Sequence, residues 1–528
     1  MSIGLCLCKC NRTISDVVNI DALFDWYREQ GIDVMGCDEL CSADCQNELL
    51  NNIRENEWSG IVIGACSPKH YETTKNQSAI LQLIADAGIN PNKIAFANLR
   101  EQLALPNSGD GVLEKAKCLI DVAISKIEHS ADVLVEEIPP RRSALIIGAS
   151  ISGVFAALRL ADAGYKVHIV DKGEIGDFSE YITPEELAKI DVSLTCAMTP
   201  SFAGIKMHPN VVMYPETTLT DVYGRVGDYT VQLEGGEILK VGGIIVCVRD
   251  AELTSKLRPI LHIDIDSEGY FRPKNPAFVV ETRDPGKYLA VGDDVRSDIL
   301  AADSAVLSLT SILDKNEINH IIEVSEVDED VCGGCGTCVK TCMFHATSID
   351  LARNVSVTDA TRCVGCGNCV VACPTGARDL VRYPNSYMID AIRILGGFKT
   401  SGASPKVLAM LCDGSGYPAA DRAGLMGLTY PTGVLPLRVS CAGRVDTQFI
   451  LYAFKVGFDG VFIGECPEGA CHNIVGNTDL ARRANLFRAV LRSRAIDTDR
   501  LRIEEISPLE GDLFVEAINE FVDELRGD

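Results

Sequence analysis

Apolar runs alternate with amphipathic segments at both ends of the chain. Near the start, three apolar runs predict buried strands, at residues 3–8, 60–66 and 94–97. Segments with helical spacing alternate with them, at residues 20–30, 79–87 and 111–127. Near the end, apolar runs at 406–412, 434–441 and 461–466 alternate with helical segments at 447–456, 479–494 and 512–525. Strands that alternate with helices are typical of parallel α/β sheets, so we expect one α/β domain at each end.

The middle of the chain begins with a strand, a glycine turn, a helix and a second strand. A charged, proline-bearing linker at residues 136–142 precedes this segment. Gly148 and Gly153 stand at the turn, and Asp171 ends the second strand 18 positions after Gly153. This is the form of a dinucleotide fingerprint, in which the helix N-terminus faces a pyrophosphate and the acidic residue accepts from ribose hydroxyls. One departure is Ser150, which stands where the fingerprint has its middle glycine.

A second flavoprotein feature lies further along the chain. An apolar strand ends in Gly292-Asp293, and a helix follows at about residues 299–313. Flavoproteins with two dinucleotide domains end their FAD domain in this way, so we predict FAD; a vestigial domain that binds nothing is the alternative. Residues 174–285 are too few for an inserted nicotinamide domain and show no second fingerprint, so direct NAD(P)H oxidation is not expected. The candidate cofactor-binding residues are Gly148, Ser150, Gly153, Asp171, Lys172, Gly292 and Asp293.

Two cysteine motifs, each C-x2-C-x2-C-x3-C, follow this segment. Their members are Cys332, Cys335, Cys338 and Cys342, then Cys363, Cys366, Cys369 and Cys373. In this pattern three thiolates of one motif bind one iron–sulfur cube, and the fourth binds the other cube. The spacing therefore assigns Cys332, Cys335, Cys338 and Cys373 to one [4Fe–4S] cluster, and Cys363, Cys366, Cys369 and Cys342 to the second. A zinc site or a disulfide framework is the alternative, but zinc sites pair their ligands across a longer gap.

Other cysteines gather where the predicted strands end. Strands of the last domain deliver Cys412, Cys441 and Cys466, and Cys471 lies five residues beyond Cys466. Because the carboxyl ends of parallel strands meet at one edge of a sheet, these four thiols predict a [2Fe–2S] cluster, with zinc as the alternative. At the N-terminal sheet the better candidates for a further cluster are Cys10, Cys41 and Cys66, with the fourth ligand open. The alternative is that these are small buried residues.

Composition narrows the function classes. The chain has 528 residues, a formal charge of -25 and 22 cysteines. The acidity argues against nucleic acid as a partner, and no run of about 18 apolar residues predicts a membrane span. The N-terminal residues lack the pattern of a secretory signal. Many cysteines in an unsecreted chain indicate metal or redox work, and we expect a reducing, anaerobic cytoplasm.

Several short signatures match a known family. They are Cys8-Lys-Cys10-Asn, Ala65-Cys66-Ser-Pro-Lys69 and residues 96–102, then residues 144–171, 194–200 and 207–210, and finally Cys441-Ala-Gly-Arg444 and residues 466–472. On these residues the chain resembles the A subunit of heterodisulfide reductase, followed by a domain like the delta subunit of methyl-viologen-reducing hydrogenase. The B subunit of the adenylylsulfate-linked quinone-interacting complex is a related fusion. The resemblance implies FAD, iron–sulfur clusters and work inside a multi-subunit complex.

This chain departs from that family in several places. The inserted ferredoxin segment and the complete flavoprotein core of the family are cut back here, which puts electron bifurcation in doubt. Ser415 stands where the delta-like domain usually offers a further cysteine, and Met343 stands where the first cysteine motif usually has proline. Cys196 is either a ligand or redox thiol near the flavin, or a structural cysteine.

These observations predict an α/β multidomain protein. We expect an N-terminal parallel α/β domain at 1–135, a trimmed Rossmann-type FAD domain at 143–322, a ferredoxin-like module with two [4Fe–4S] clusters at 326–384, and a doubly wound α/β [2Fe–2S] domain at 386–528.

The predicted function is that of an electron-transfer oxidoreductase subunit, with no catalytic residue identified. Electrons would pass between a hydrogenase- or formate-dehydrogenase-like donor and a disulfide- or thioester-reducing partner, and proteins like the B and C subunits of heterodisulfide reductase would be its neighbours. One alternative is an iron–sulfur scaffold whose Rossmann domain lacks flavin. Another is a self-contained flavin disulfide reductase that uses Cys196, but the chain has no C-x2–4-C pair beside the flavin motif.

Overall fold

A computed structural model describes residues 2–527 apart from residues 74, 176–200, 202, 267, 274–279, 283, 323 and 400–403. The chain divides into two compact units. The first unit combines residues 1–134 with residues 323–528, and the second comprises residues 135–322. The segment with the dinucleotide fingerprint is therefore inserted into the chain of the first unit. No helix in the described part of the chain is long and apolar enough to cross a membrane.

The N-terminal part of the first unit is a parallel four-stranded sheet with helices. Its strands are Ile3–Cys8, Asp33–Cys37, Gly60–Ala65 and Ile94–Asn98, and their order in the sheet is 33–37, 3–8, 60–65, 94–98. Its helices are Ile20–Glu29, Ala43–Glu55, Pro68–Thr73, Lys75–Asp86 and Val112–His129. Every residue of the strand Gly60–Ala65 is buried, as expected for a parallel strand that is covered on both faces. A π-helical turn, Arg100–Ala104, follows the last strand.

The second unit contains a five-stranded parallel sheet. Its strands are Ser143–Ile147, Lys166–Val170, Val211–Tyr214, Gly243–Val246 and Lys287–Leu289, in the order 287–289, 243–246, 143–147, 166–170, 211–214. Its helices are Ile151–Asp162, Ala251–Leu261 and Val295–Leu313. An antiparallel meander, Leu219–Arg225, Asp228–Leu233 and Ile238–Val241, and a two-stranded ribbon, Val135–Ile138 with Ile318–Ile321, complete the described part of this unit.

The cysteine motifs of the first unit form a small module of two antiparallel ribbons. One ribbon pairs Ser325–Val327 with Arg378–Leu380, and the other pairs Thr347–Asp350 with Val355–Thr358. Two short helices, Thr337–Thr341 and Asn368–Val371, begin inside the cysteine motifs. Each cysteine motif therefore contributes one short helix to the module.

The C-terminal part of the first unit is a second parallel four-stranded sheet. Its strands are Val407–Cys412, Val434–Val439, Gly460–Glu465 and Leu501–Glu505, in the order 434–439, 407–412, 460–465, 501–505. Its helices are Asn385–Gly396, Gly416–Leu425, Thr447–Lys455, Gly476–Ser493 and Gly511–Arg526. The strand order reverses beside 407–412, which is the place where open α/β sheets form a crevice at their carboxyl edge.

Buried polar contacts join the N-terminal and C-terminal parts of the first unit. The carboxylate of Asp421 is buried and accepts hydrogen bonds from Ser67 Oγ at 2.5 Å, Asn98 Nδ2 at 2.8 Å and Gln102 Nε2 at 2.7 Å. Burial raises the pKa of Asp421 to about 7, and the nearby Glu101 carboxylate adds to the effect. The backbones also approach closely, since a Cβ at Gly424 would lie 2.0 Å from the Glu101 carbonyl oxygen.

Candidate metal centres

The four cysteines that the spacing assigns to one cube surround a single cavity. Cys332, Cys335, Cys338 and Cys373 line it, and its volume is about 310 Å³ with the solvent at its mouth. Ser356 supports two of these thiols: its N–H donates to Cys332 Sγ at 3.4 Å, and its Oγ lies 3.2 Å from Cys338 Sγ. The hydroxyl and backbone N–H of Thr337 lower the pKa of Cys335. Because all four thiols line one cavity, they can serve together as the ligands of one polynuclear cluster.

The remaining four motif cysteines surround a second cavity. Cys342, Cys363, Cys366 and Cys369 line it, and its volume is about 290 Å³ with the solvent at its mouth. The N–H of Ala346 donates to Cys342 Sγ at 3.3 Å. Burial raises the pKa of the Cys366 thiol. The structure therefore brings the fourth cysteine of each motif to the other motif's cavity, as the spacing predicts, and the assignment of these residues as ligands stays a prediction.

The alternative for these cysteines is a single zinc ion. A zinc ion needs four ligands at about 2.3 Å from one point. In the described part of the chain, no three His, Cys, Asp or Glu side chains are arranged to hold one metal ion.

Four buried thiols lie together at the carboxyl edge of the C-terminal sheet. They are Cys412, Cys441, Cys466 and Cys471. Cys412 Sγ lies 3.7 Å from Cys466 Sγ. Hydrogen bonds from Cys441 and Cys466 lower the pKa of Cys471. A Cβ at Gly476 would lie 2.2 Å from Cys441 Sγ, so only glycine leaves room for the thiol there.

Polar neighbours complete this C-terminal site. His472 Nδ1 lies 3.2 Å from Cys466 Sγ, so the imidazole can form a hydrogen bond with this thiol. Burial raises the pKa of Glu465 to about 9, so its carboxyl holds a proton at neutral pH. Ser415 donates its hydroxyl to the Ile506 carbonyl oxygen and so is engaged outside the thiol group.

The loop of the second cavity touches the loop that carries Cys441. Ser440 Oγ donates to the Cys366 carbonyl oxygen at 3.3 Å. A Cβ at Gly443 would lie 1.6 Å from Asn368 Oδ1, and a Cβ at Gly367 would lie 2.4 Å from Arg444 Cδ. The two loops meet at glycines, so the second cavity and the C-terminal thiols are direct neighbours. We call this contact, residues 366–368 with residues 440–444, the loop junction.

The N-terminal cysteines form a looser group. Cys10 has a φ of +51° and accepts from Arg100 Nη1 at 3.2 Å. Its own N–H donates to Cys8 Sγ at 3.3 Å, and the Leu40 N–H, next to Cys41, donates to the same sulfur at 3.4 Å. Cys41 is exposed, whereas Cys66 is buried and lies 3.4 Å from the Tyr71 hydroxyl. The predicted ligand set does not include Cys8, which ends the strand Ile3–Cys8 as Cys412 ends its own strand.

The glycine turn of the second unit has the form that a dinucleotide needs. Gly148 has a φ of +97°, and a Cβ at Gly153 would lie 2.0 Å from the Gly148 carbonyl oxygen. Ser150 caps the following helix and donates its hydroxyl to the Cys247 carbonyl oxygen at 3.1 Å. The Asp171 carboxylate accepts from the backbone N–H groups of Ala149 and Gly173, and its remaining lone pairs can accept from a ribose. The residues at this turn fit a dinucleotide.

The other predicted flavin residues are less well placed to reach a ligand. Lys172 forms an ion pair with Asp250. The Gly292 N–H donates to Asp298 Oδ1 at 2.7 Å, and Asp293 is exposed. Cys196 lies outside the described residues.

Comparisons with known proteins cover the whole chain. Residues 407–527 match the family "Methyl-viologen-reducing hydrogenase, delta subunit", and residues 325–377 match the "4Fe-4S dicluster domain" family. The A subunit of the ferredoxin/F(420)H(2)-dependent CoB-CoM heterodisulfide reductase of Methanosarcina acetivorans is 23% identical, with 100% of this chain and 97% of the relative covered. That alignment spans 784 positions, of which this chain can fill 528, so at least 256 positions have no residue here.

Two further matches are partial. The A subunit of the H(2):CoB-CoM heterodisulfide,ferredoxin reductase of Methanothermobacter thermautotrophicus is 30% identical over 44% of this chain and 35% of its own length. The T. acidophilum thioredoxin reductase structure is 13% identical, covers 32% of this chain and 99% of its own, and has a TM-score of 0.24, which says nothing about bound flavin. The resemblance drawn from the sequence is confirmed in both parts, the full-length likeness and the C-terminal domain.

Proposed function

We propose that this chain, an oxidoreductase subunit similar over its full length to the A subunits of heterodisulfide reductases, relays electrons within a multi-subunit complex of that type. Its donor would be a hydrogenase- or formate-dehydrogenase-like protein that docks on the C-terminal domain. Its acceptor would be a disulfide- or thioester-reducing partner. The observation that carries the proposal is that three groups of four thiols lie within one compact unit. The second motif cavity and the C-terminal thiol group are in contact at the loop junction.

The order of the three groups defines a path. Cys373 and Cys342 each come from the motif opposite to the cavity that they line, so the two cubes would share one small module. The loop of the second cavity then touches the loop of Cys441. Bound iron–sulfur clusters would each take up and release one electron. The protein holds the thiols close together and dry, since Cys338, Cys369 and the four C-terminal thiols are buried.

FAD at the glycine turn of the second unit is the further part of the proposal. Gly148, Gly153 and Asp171 would hold its dinucleotide portion. The alternative is a relay whose Rossmann domain lacks flavin, and the feature that favours it is Ser150 at the position of the fingerprint's middle glycine.

Iron and flavin content test the assignment directly. We expect anaerobically purified chain, isolated with its partners, to contain one FAD and about ten irons, since two cubes and one [2Fe–2S] cluster need that many. About four more irons would support a cluster at the N-terminal thiols. Iron at the expected level without flavin would refute the FAD assignment and favour the flavin-free relay. Iron far below ten would refute the relay itself.

A pair of glycine substitutions tests whether electrons cross the loop junction. Gly367→Ala would place a methyl group against Arg444, whereas Gly376→Ala, in the same module, meets nothing within 4 Å. Both glycines have positive φ, so both variants carry a similar backbone cost of roughly 1–2 kcal/mol. We expect both to keep their iron, and only Gly367→Ala to slow the reduction of the C-terminal cluster after the cubes are reduced, as followed by rapid-freeze electron paramagnetic resonance (EPR).

The Gly376→Ala variant separates the effect of the junction from backbone strain. Equal rates of reduction in Gly367→Ala and Gly376→Ala would show that electrons do not cross between residues 366–368 and 440–444. That outcome would leave the clusters as a scaffold.

A further inference from the structure

A buried arginine lies between the two motif cavities. Arg378 begins the strand that pairs with Ser325–Val327, five residues after Cys373, and its side chain is 1% exposed. It lines the first cavity. Because an arginine keeps its charge under all ordinary conditions, this position holds a permanent cation inside the module.

The guanidinium reaches both groups of thiols. On the side of the first cavity, Nη2 donates to Ser356 Oγ, and Ser356 in turn contacts Cys332 and Cys338. On the side of the second cavity, Nη1 lies 3.9 Å from Cys369 Sγ. Nη1 also donates to Ser325 Oγ, which lines the second cavity, at 3.1 Å.

The charge of Arg378 has no carboxylate partner in the described part of the chain. Its hydrogen bonds go to the hydroxyls of Ser325, Ser356 and Thr358 and to one thiol, and its Nε has no partner. Arg444 at the loop junction differs, since Asp379 lies 3.7 Å from its Nη2. A buried, unneutralised cation is costly unless negative charge lies nearby, and ionised thiolates with their cluster would supply that charge.

We propose that Arg378 sets the reduction potentials of both cubes and lets the module hold two electrons at once. This inference rests on the proposed function. Each cube, when bound, would take up one electron from a low-potential one-electron donor, with no bond formed or broken. Reduction adds one negative charge to a cube, so a cation of fixed position stabilises the reduced form more than the oxidised form. A cation that both cubes share also weakens the repulsion that the first electron exerts on the second.

Burial makes the effect large enough to measure. A charge close to both thiol groups and shielded from water acts through a lower effective dielectric than a surface charge does. We expect its loss to lower the ratio of reduced to oxidised cube by about tenfold or more at a fixed applied potential. An exposed arginine of the same module, already paired with carboxylates, would have little effect.

The test is an EPR-monitored redox titration of the anaerobically isolated, cluster-loaded complex. Arg378→Gln removes the charge, and Arg378→Lys keeps it. Thr358→Asp keeps the arginine but places a carboxylate where the Thr358 hydroxyl now accepts from Nη1. The matched control is Arg353→Gln, since Arg353 is exposed and paired with Glu329 and Asp350.

We expect Arg378→Gln and Thr358→Asp to lower the potentials of both cubes and to widen the gap between the first and second electron. Arg378→Lys should shift them less than Arg378→Gln does, and Arg353→Gln should match the wild type. Unchanged potentials in Arg378→Gln, or in Thr358→Asp if the glutamine variant loses iron, would overturn the inference. Wild-type protein that lacks two cubes would instead refute the proposed function, so the two failures are distinguishable.

Discussion

Replacing Asp421 with asparagine should change how the stability of the first unit depends on pH. Asp421 accepts hydrogen bonds from Ser67, Asn98 and Gln102 in a buried contact between the N-terminal and C-terminal parts. Burial raises its pKa from 3.8 to about 7. The unfolded carboxyl therefore loses its proton near pH 4 and the folded one near pH 7. Between these values the folded state binds more protons, so stability falls as the pH rises, and above pH 7 it stays at the lower level.

The size of the effect follows from the shift. About three pKa units correspond to roughly 4 kcal/mol in total, of which roughly 1 kcal/mol falls between pH 6 and pH 8. Asparagine is neutral at every pH. The side-chain amides of Asn98 and Gln102 both donate to the same oxygen of Asp421, and Oδ1 of the asparagine can accept both of these hydrogen bonds. Its Nδ2 can donate to Ser67 Oγ. Between pH 6 and pH 8 the unfolding free energy of the variant should therefore rise by roughly 1 kcal/mol relative to that of the wild type.

Tryptophan fluorescence during denaturant unfolding is a suitable assay. The chain has two tryptophans, Trp26 and Trp58, and both lie in the N-terminal part of the first unit. Asp512→Asn, at an exposed position of the helix Gly511–Arg526, is the control and should keep a constant difference from the wild type. A difference between Asp421→Asn and the wild type that is flat, or that shrinks as the pH rises, would refute the reasoning.

Two other substitutions give sharp expectations. Burial lowers the pKa of Lys115 from 10.5 to about 7. Between these pH values the unfolded state binds more protons than the folded state, so wild-type stability rises with pH. In Lys115→Met this rise should disappear, and denaturant unfolding should show a relative change in unfolding free energy of about 2 kcal/mol between pH 7 and pH 9. If a cluster binds at the N-terminal thiols, Cys8→Ser should lose about four irons by chemical analysis, whereas Cys118→Ser should lose none. A Lys115→Met profile parallel to that of the wild type, or full iron in Cys8→Ser, would contradict these expectations.

The sequence predicted best what depends on local spacing. The cross-over of Cys342 and Cys373 between the two cavities follows from the motif itself, and the meeting of Cys412, Cys441 and Cys466 follows from the rule for parallel strand ends. The strand Asp33–Cys37 went unpredicted because an acidic residue and a glycine interrupt its apolar pattern. A full-length relative and the C-terminal family match confirm the resemblance that the short signatures indicated.

What the sequence could not predict depends on contacts between distant residues. Gln102 and Asp421 are 319 positions apart, and nothing in either segment indicates that they meet. The burial of Arg378 between two cavities has the same cause, since an arginine in a polar segment is ordinarily exposed. The hydrogen bond from the Ser415 hydroxyl to the Ile506 carbonyl oxygen could not be predicted either, because it depends on where a distant loop packs.

The insertion of the second unit into the first has a consequence for the time course of synthesis. At roughly 5–20 residues per second, a ribosome needs roughly 15–65 s to proceed from Gln102 to Asp421, which are 319 residues apart. During that interval the amides of Asn98 and Gln102 and the hydroxyl of Ser67 are complete but lack the carboxylate that they later contact. The N-terminal sheet must therefore keep this surface hydrated, and protected from other chains, until the segment with Asp421 has emerged.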